Sequence, residues 1–405
     1  MFFGGVFVKN IFIISQSLNT GGAERVASNL SIELSKNNEY KVYLVLFNGD
    51  NRTYPAGCEV INMDIPSTNN KIKRIFVFLR RVLKLRKLKK KYNVDLSISL
   101  LSSPNYINVL SKRNDKIITS IRCFFSKKST SKIKNKIIEY ACKKSDKIVC
   151  LSKAVEYNMI KDYFADEKNT ITIYNSCDSN NLIQNSINDN VEAPNFDYLI
   201  NMGRLTTQKG QWHLIKSFKV IHECFPQLKL IILGQGEYKE KLNKLIAELN
   251  LEDHVYLYGY VKSPFVILKN AKAFLFTSLF EGLGNVLLEA MSGGVPVVST
   301  DCIAGPREII MNCNTKEDIL STITDTKFSD YGILVPPYYM NEQPAWDNLE
   351  ITDNERKYAD AVIKLLSDQN MLEKYKKASL ERIKFFSPEK ITNEWVDLID
   401  SMLKK

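Results

Sequence analysis

Short apolar segments alternate with longer amphipathic segments along the whole chain, and this alternation limits the fold more than any other feature. Segments such as KVYLVLF (41–47) and KIVCL (147–151) are typical of buried strands in a parallel sheet. The amphipathic segments between them are typical of the helices that connect such strands. We therefore expect a doubly wound α/β architecture.

One polar stretch, SNNLIQNSINDNVEAPNFD at 179–197, interrupts the alternation, which then starts again. A chain of 405 residues has room for two or three domains. We predict two Rossmann-like domains that face each other across a cleft, the first over 1–190 and the second over 191–385. A last helix, within 386–405, could pack back on the first domain.

The net charge of +11 comes entirely from the first half of the chain. Residues 1–190 hold 31 Lys and Arg against 16 Asp and Glu, a net charge of +15, whereas residues 191–405 have a net charge of −4. A basic half predicts a polyanionic partner for that half, such as a phosphorylated ligand, a nucleic acid or an anionic membrane.

The cysteine and hydropathy patterns indicate a cellular compartment. The eight cysteines form no CxxC pair and the three histidines all lie in the second half, so no zinc site is expected. Scattered cysteines suit a reducing cytoplasm. We expect no signal peptide, and no run approaches the ~18 apolar residues that span a bilayer. The prediction is a cytoplasmic protein that could touch a membrane and that has no zinc cofactor.

The first candidate motif is GGAERV at 21–26, between the first strand and the first helix. Adjacent glycines, Gly21 and Gly22, allow close approach of the backbone to a ligand and leave free N–H groups at a helix start, where an anion is favoured. A tight turn before a helix explains the pair equally well.

The second motif is GRLTTQKG at 203–210, again between a strand and a helix. Arg204 and Lys209 could converge on a diphosphate, the first as a two-pronged donor and the second as a point charge. Two solvated loop charges are the alternative, but the place of the loop at the end of a strand favours a ligand.

The third motif is FEGLGNVLLEA at 280–290, in which Glu281 and Glu289 lie on either side of a glycine turn. The glycines predict a loop that holds Glu281 and a helix that holds Glu289. The amides of Gly284, Asn285 and Val286 would then face a phosphate, while the two acids bond a sugar's hydroxyls and a ribose diol. A helix start with two surface acids is the alternative, and it gives the two glycines no role.

The fourth motif, LGQGE at 233–237, is half of the dinucleotide fingerprint G-x-G-x-x-G, with Lys239 at the position of the final glycine. A plain strand-to-helix turn explains it at least as well.

Together, GGAERV, GRLTTQKG, LGQGE and above all EGLGNVLLEAMSGGVPVVSTDCIAGPREII resemble the retaining glycosyltransferases of family 4, also called group 1, which have the GT-B fold. The resemblance extends from about residue 10 to 310 and resumes at 331–336. Within that family, the motifs are most similar to those of the bacterial enzymes that build capsule, O-antigen or lipid-linked glycans from UDP-sugars.

The resemblance implies a role for each candidate residue. Arg204 and Lys209 would bind the donor diphosphate and stabilise the leaving nucleotide. Glu281 would hold the transferred sugar near its reacting carbon, and Glu289 would bond the nucleotide ribose. Backbone contacts to the donor would come from Gly22, Gly284, Asn285 and Val286, and LYGYV at 257–261 would cradle the base. Retention of anomeric configuration by front-face attack is implied in the same way.

Two absences add to this interpretation. The sequence has no Asp-x-Asp pair, the carboxylates that commonly hold a metal on a sugar nucleotide, so Arg, Lys and helix ends would supply the charge compensation. The first domain has no histidine, although many relatives place one near Ile121–Arg122. Arg122 is therefore a candidate to contact an anionic acceptor, with an ordinary surface arginine as the alternative.

The stretch KIKRIFVFLRRVLKLRKLKKK at 71–91 has eleven Lys and Arg, no acid and ten large apolar residues. One predicted stripe at helical spacing contains Ile72, Ile75, Phe76, Leu79, Val82 and Leu83. Flanking or facing away from it would be Arg80, Arg81, Lys84, Lys87 and Lys91. Such a helix could lie on an anionic membrane or bind a lipid-linked diphosphate, and a helix that faces the core with a charged outer side fits equally well. Nucleic acid is not expected, because no nucleic-acid motif accompanies the charges.

The resulting hypothesis is a metal-independent, retaining glycosyltransferase that moves a sugar from a nucleotide sugar to a lipid-linked or growing bacterial surface glycan. We expect the nucleotide to be UDP. It would be peripheral on the inner face of the cell membrane. An oxidoreductase or nucleotide-sugar epimerase would need the full glycine fingerprint. A non-catalytic membrane or polyanion binding protein would leave Glu281 and Lys209 without a role.

Overall fold

The computed structural model describes residues 8–19, 21–49, 53–127, 130–311, 313 and 315–403. The chain divides into two compact units. The first contains Met1–Ser176 and Glu389–Lys405, and the second contains Cys177–Pro388.

A sheet of seven parallel strands forms the centre of the first unit. The strands are β1 (Lys9–Ser15), β2 (Tyr40–Leu46), β3 (Glu59–Asn62), β4 (Leu96–Leu100), β5 (Lys116–Ile121), β6 (Lys147–Cys150) and β7 (Thr170–Thr172). They lie in the order β3-β2-β1-β4-β5-β6-β7. The direction of winding therefore reverses between β1 and β4, and the carboxyl end beside such a reversal is where ligands bind in doubly wound folds.

In the described part of the first unit, five α-helices connect these strands. They are α1 (Gly22–Leu34), α2 (Lys71–Lys91), α3 (Ser102–Leu110), α4 (Lys132–Lys144) and α5 (Lys153–Tyr163). The side chains of β1 alternate between the two faces of the sheet. Ile11 and Ile13 join the core that includes residues of α1, whereas Phe12 and Ile14 join the core that includes Leu85 of α2.

The second unit repeats the architecture on a second sheet. Its strands are β8 (Tyr198–Met202), β9 (Lys229–Leu233), β10 (Val255–Gly259), β11 (Ala273–Phe276), β12 (Val297–Thr300), β13 (Lys327–Phe328) and β14 (Ile333–Val335). They lie in the order β10-β9-β8-β11-β12-β14-β13, parallel except for β13 against β14. The winding reverses between β8 and β11, and the second and third motifs follow these two strands.

The remaining helices are α6 (Ser179–Asn188), α7 (Gln211–Cys224), α8 (Lys239–Glu248), α9 (Phe265–Lys269), α10 (Asn285–Ser292), α11 (Pro306–Ile310), α12 (Lys316–Leu320), α13 (Asp353–Ser367), α14 (Gln369–Ile383) and α15 (Pro388–Leu403). Helix α15 belongs to the first unit, where Trp395 and Ile399 enter the same core as Ile11. Lys116 Nζ at the start of β5 also donates to the carbonyl of Met402 at 2.5 Å.

The predicted division after residue 190 differs from the division of the structure after Ser176. The polar stretch at 179–197 begins with a helix, α6, rather than a linker. The side chain of Asp178 accepts from the amide of Asn181 and caps this helix, and Ser186 Oγ donates to the carbonyl of Ser263 at 3.0 Å. The local cap and the contacts of Ser186 and Asp189 with Lys262 and Ser263 hold the segment on the second unit despite its polar composition.

The basic stretch forms helix α2, in which Arg81, one of the cations predicted to flank the stripe or to face away from it, is buried. Arg81 is 4% exposed, and its Nε and Nη2 donate to the carbonyl of Ile65 at 2.9 and 2.6 Å. Leu85 is buried beside it, and Val82, placed in the predicted stripe, packs against the same core. Apolar residues lie on two sides of this helix, so the sequence pattern does not distinguish the side that faces the core.

The other members of the predicted stripe face outward. Ile72, Ile75, Phe76, Leu79 and Leu83 are all at least half exposed, from 50% for Leu79 to 71% for Ile72. A helix that buries this stripe in the core is therefore excluded. Among the described residues, no helix is long and apolar enough to cross a membrane.

Candidate active site

Lys209 and Glu281 form a salt bridge at the carboxyl ends of two neighbouring strands in the second unit. Lys209 Nζ lies 2.5 Å from Glu281 Oε1, and the two side chains are 14% and 10% exposed. Lys209 ends a short 3₁₀ turn after β8, and Glu281 lies in the loop after β11. Because β8 pairs with β11, the sheet brings together two residues that are 72 positions apart in the sequence.

Close packing holds the loop of Lys209 in place. A side chain at Gly203 would lie 3.1 Å from the Lys209 side chain, so the glycine leaves room for the lysine stem. Gly210 has φ +61°, and a Cβ there would lie 2.3 Å from the carbonyl oxygen of Thr277. Thr277 Oγ1 in turn donates to the carbonyl of Lys209 at 3.0 Å. Gly210 is therefore needed for the close approach to the backbone of Thr277, whereas Gly203 leaves space for the Lys209 side chain.

Gln208 links Arg204 to the loop of Glu281. Arg204 is exposed, and its Nη2 donates to Gln208 Oε1 at 3.4 Å. Gln208 Nε2 donates to the carbonyl of Phe280 at 3.0 Å. The backbone carbonyl of Gln208 accepts from the amide of Leu279 at 2.8 Å. The sequence interpretation did not single out Gln208. The position of Gln208 between Arg204 and Lys209 in the sequence could have marked it as a site residue.

The amino terminus of α10 lies in the same region. Gly284 is the residue before the helix, with φ +89°, and no side chain caps the helix start. Asn285 and Val286 are its first two residues, and no acidic residue lies in its first turn. Glu289 is half-buried further along α10. A helix start of this kind attracts an anion through its N–H groups and its dipole.

The glycines of LGQGE have a packing role. A Cβ on Gly234 would lie 1.9 Å from the carbonyl oxygen of Gly203, and one on Gly236 would lie 2.2 Å from that of Leu205. The amide of Leu205 donates to the carbonyl of Gln235 at 2.9 Å. This motif therefore packs against the backbone of the GRLTTQKG loop. The sequence predicted only a strand-to-helix turn here, and the structure adds that both glycines are required by this close packing.

Cys302, two residues after the end of β12, is a buried neighbour of the salt bridge that the sequence did not indicate. It is 3% exposed. Burial raises its pKa well above the ordinary value, with a further contribution from the charge of Glu281, so the thiol is neutral.

Three candidate residues lie in the first unit, also at the carboxyl edge of their sheet. Gly21 precedes α1, Gly22 begins it, and Arg122 follows β5. A Cβ on Gly21 would lie 2.3 Å from Glu24 Oε2, so the Glu24 carboxylate lies over the start of α1. Burial raises the pKa of Glu24.

Arg122 is an incompletely paired cation. Its Nη1 donates to Ser120 Oγ at 3.3 Å and its Nη2 to Asn175 Oδ1. Its Nε is buried and has no partner within the described part of the chain. Burial lowers the pKa of the guanidinium to about 10. Its side-chain partners are neutral, so an anion that enters here would gain a charge-assisted contact.

The site in the second unit combines one carboxylate, two cations and an uncapped helix start at the reversal point of a doubly wound sheet. Such a set can bind a ligand that has both a diphosphate and a hydroxyl-rich ring. Arg204, Lys209, Glu281, Gly284, Asn285, Val286 and Glu289 all belong to this unit, whereas Gly21, Gly22 and Arg122 belong to the other.

Two doubly wound α/β units with these strand orders are typical of the GT-B fold. A solved structure with this fold is the Anabaena protein HepE in complex with UDP and glucose, which is 17% identical over 97% of this chain and 100% of that chain, with a TM-score of 0.72.

The family follows from the sequence comparisons. The model described as Glycosyltransferase Family 4 matches residues 20–181, and the model described as Glycosyl transferases group 1 matches residues 183–319. An uncharacterised glycosyltransferase of Methanocaldococcus jannaschii is 35% identical over 81% of this chain and 84% of its own length. The chain therefore belongs to the family 4, or group 1, glycosyltransferases.

A second relative has a more specific name. The N-acetylgalactosamine-N,N'-diacetylbacillosaminyl-diphospho-undecaprenol 4-alpha-N-acetylgalactosaminyltransferase of Campylobacter jejuni is 27% identical over 96% of this chain and 98% of its own length.

Proposed function

We propose that this glycosyltransferase moves a sugar from UDP to a lipid-linked, growing bacterial surface glycan such as a capsule precursor, with retention of anomeric configuration and without a metal. The Lys209–Glu281 salt bridge, next to the uncapped start of α10, is the observation on which the proposal depends most. It puts an acid for the sugar and a cation for the diphosphate at one place.

The donor site would act on both ends of the bond that breaks. The bond between the anomeric carbon and the phosphate oxygen breaks, and its electron pair stays on that oxygen. Arg204, Lys209 and the first amides of α10 would stabilise the negative charge that develops there. Glu281 would accept hydrogen bonds from sugar hydroxyls and favour the positive charge on the reacting carbon. The acceptor hydroxyl oxygen then bonds to that carbon on the same face, and its proton passes to the departing phosphate.

Metal independence is supported by the positive groups that this site provides for the diphosphate. Arg204, Lys209 and one helix start would face the diphosphate with positive charge, although Glu281 offsets part of the charge of Lys209. Transfer should therefore persist at an unchanged rate after dialysis against EDTA. Loss of transfer that added Mg²⁺ or Mn²⁺ restores would contradict this part of the proposal.

The acceptor site would be in the first unit at Arg122. The unpaired Nε of Arg122 suits an anionic group of the acceptor, and the diphosphate of a lipid-linked glycan is such a group. The name of the Campylobacter jejuni relative describes a diphospho-undecaprenol acceptor, which supports the same class here. A lipid carrier would place the enzyme at the inner face of the cell membrane, and the outward apolar stripe of α2 is compatible with that location.

A donor panel tests the proposal. The purified enzyme is incubated with radiolabelled UDP-, GDP- and dTDP-sugars and a lipid extract, and label is counted in the organic phase. We expect transfer from one UDP-sugar, with an α-linked donor giving an α-linked product by NMR. Glu281→Gln should lower the signal about 100-fold, while Glu237→Gln, a change at an exposed acid in the LGQGE loop, serves as the matched control.

Three outcomes would count against the proposal. Transfer only from GDP- or dTDP-sugars would reject the UDP donor. An inverted product would reject retention. Transfer to free sugars but never to lipid would reject the acceptor class.

A further inference from the structure

Arg307 and Asp301 form a buried ion pair in the second unit. Asp301 directly follows β12, and Arg307 is the second residue of α11. Arg307 Nε donates to Asp301 Oδ1 at 2.9 Å, and Arg307 Nη2 donates to Asp301 Oδ2. Each residue is 6% exposed. This two-pronged contact fixes both the distance between the two side chains and their relative orientation.

The ion pair closes a short loop with an unfavourable backbone conformation. Five residues, 302–306, lie between the two partners. In this loop Ala304 has φ +66° and Gly305 has φ +100°. A positive φ is unfavourable for alanine, so such a conformation persists only where surrounding contacts enforce it. The two-pronged contact across the loop is one that does so.

Both ends of the loop are attached to neighbouring elements. The amide of Asp301 donates to the carbonyl of Val335 in β14 at 2.8 Å, and the amide of Ile323 donates to Asp301 Oδ2 at 3.3 Å. Arg307 Nη1 donates to the carbonyl of Asp318 in α12 at 2.5 Å. The loop is therefore held between the sheet and α12, which restricts its movement.

The same loop contacts the loop that holds Glu281, at Glu281 itself and on both sides of it. The carbonyl of Ile303 accepts from the amide of Glu281 at 3.1 Å, and Ile303 forms an isolated parallel bridge with Phe280. A Cβ on Gly305 would lie 1.9 Å from the carbonyl oxygen of Leu283. The backbone position of Glu281 therefore depends on the loop that the ion pair closes.

We propose that Arg307 is a positioning residue for sugar transfer, which holds Glu281 in place through Asp301 and the 302–305 loop. The inference rests on the proposed function, because Glu281 is the residue that the proposed function assigns to the transferred sugar. Arg307 itself contacts protein groups and has no part in the chemistry.

A purely stabilising role explains the ion pair less well. Removing two charges from water costs free energy that offsets most of their attraction, so a buried ion pair is weak evidence for stability. The ion pair supplies geometry instead, because the loop between Asp301 and Arg307 holds the carbonyl that accepts from the amide of Glu281.

Hydrogen exchange, measured by mass spectrometry on the peptide that contains Glu281, tests the link without any substrate. Arg307→Lys keeps the charge that Asp301 needs but cannot form the two-pronged contact, so this peptide should exchange about fivefold faster. The matched control is Arg382→Lys, since Arg382 is also buried and donates through Nε and Nη2 to backbone carbonyls of α11. Unchanged exchange in Arg307→Lys, or equal acceleration in both variants, would overturn the inference.

Kinetics test whether the link matters for transfer. Arg307→Lys should lower kcat about tenfold and change the donor KM less than about twofold, because Arg204 and Lys209 still bind the diphosphate from the loop after β8. In a Glu281→Gln background, Arg307→Lys should have almost no further effect on kcat. Arg382→Lys should keep the wild-type kcat. Multiplication of the Arg307 and Glu281 losses would show that Arg307 does not act through Glu281, and the inference would fail.

Gly305→Ala tests the same contact with the ion pair left intact, and it decides the question if Arg307→Lys does not fold. The added Cβ meets the carbonyl oxygen of Leu283, so exchange should accelerate and kcat should fall as in Arg307→Lys. Gly294→Ala is its matched control, because φ there is also positive, +69°, but the Cβ lies 3.4 Å from Leu380, an ordinary contact. Wild-type exchange and kcat in Gly305→Ala would contradict the inference.

The outcome can be separated from that of the proposed function. If Glu281→Gln transfers sugar at the wild-type rate while Arg307→Lys still accelerates exchange at Glu281, the proposed role of Glu281 fails and the positional link stands. If Glu281→Gln lowers kcat as expected and exchange is the same in wild type and Arg307→Lys, the inference fails alone.

Discussion

Lys209 Nζ lies 2.5 Å from Glu281 Oε1, and both side chains are mostly buried. The other neighbours of the lysine, Phe276, Thr277 and Gln208, are neutral. Each charge is thus the principal partner of the other. The pair links the loop after β8 to the loop after β11, so the two charges act as one unit.

Single and double substitutions should show this coupling. Glu281→Gln and Lys209→Ala should each lower kcat by about 100-fold, because each removes a charge needed in the transition state and leaves the other without its partner. The double variant should lose far less than the product of the two effects. Initial rates together with thermal melts measure the cycle, and simple multiplication of the two losses would show that the residues act independently.

A substitution at Gly234 should damage the donor site through packing alone. In Gly234→Ala the new Cβ meets the carbonyl oxygen of Gly203 at 1.9 Å, at φ +144°, so the cost should be about 3 kcal/mol of unfolding free energy. Gly259→Ala is the matched control, because its φ is +79° but nothing lies within 4 Å of the added Cβ. Its cost should be only about 1 kcal/mol. Equal denaturation midpoints for the two variants would contradict the packing role.

Arg122 should contribute to acceptor binding without contributing to stability. Arg122→Met removes a buried cation that has no carboxylate partner in the described part of the chain, so the melting temperature should stay the same or rise. The KM for a lipid-diphosphate acceptor should rise at least about tenfold, with the donor KM unchanged. Arg122→Lys should recover part of the loss. A lower melting temperature with unchanged acceptor kinetics would indicate a structural role instead.

The two neighbouring arginines of α2 should behave differently. Arg80→Gln, together with Lys73→Gln and Arg74→Gln, should weaken binding to anionic vesicles by about 1 kcal/mol per removed charge, and less at high salt. Arg81→Gln should leave vesicle binding intact and lower stability, because it removes the hydrogen bonds to Ile65. Co-sedimentation across a salt series and chemical denaturation separate the two effects, and the reverse assignment would reject the observed orientation of the helix.

Lys89 should make stability depend on pH. Lys89 Nζ lies 2.7 Å from Asp115 Oδ2, and burial lowers the pKa of this lysine to about 8, an effect that the charge of Asp115 only partly offsets. The unfolded chain holds that proton up to a pH of about 10.5, so between the two values it binds more protons than the folded chain. The contribution of this group to the free energy of unfolding should therefore rise from pH 8 toward pH 10.5, and it is lost as the pH falls through 8.

Urea denaturation across this pH range measures the effect. Lys89→Met should lose the dependence, whereas Lys90→Met, exposed on the same helix, should keep it. A parallel slope in the wild type and Lys89→Met would show that other groups cause it.

Local patterns were sufficient for the α/β alternation and for the site loops, but not for every helix. The glycines of GRLTTQKG and FEGLGNVLLEA lie next to the turns that the sequence predicts, with Glu281 in a loop and Glu289 on α10. These features depend on a few neighbouring residues, since a helix start or a tight turn is decided within one or two turns of chain.

Contacts over a long sequence distance were not predictable in the same way. The role of Gln208 depends on Phe280, and the need for glycine at 234 depends on Gly203. The capped helix at 179–188 was missed because the composition of the stretch resembles a linker, although Asp178 is a suitable cap. Such details require knowledge of which loops the sheet order brings together.

By itself, the sequence determined the two α/β units, the family and the set of charged residues in the glycine loops, because strand and helix periodicity and turn chemistry are local. Only the tertiary structure decided that Lys209 and Glu281 form a salt bridge and that α2 buries Arg81 and exposes Phe76. The physical reason is the same in both cases. The direction of a side chain depends on which strands are neighbours and which of two similar apolar faces meets the core, and neither is encoded within a single segment.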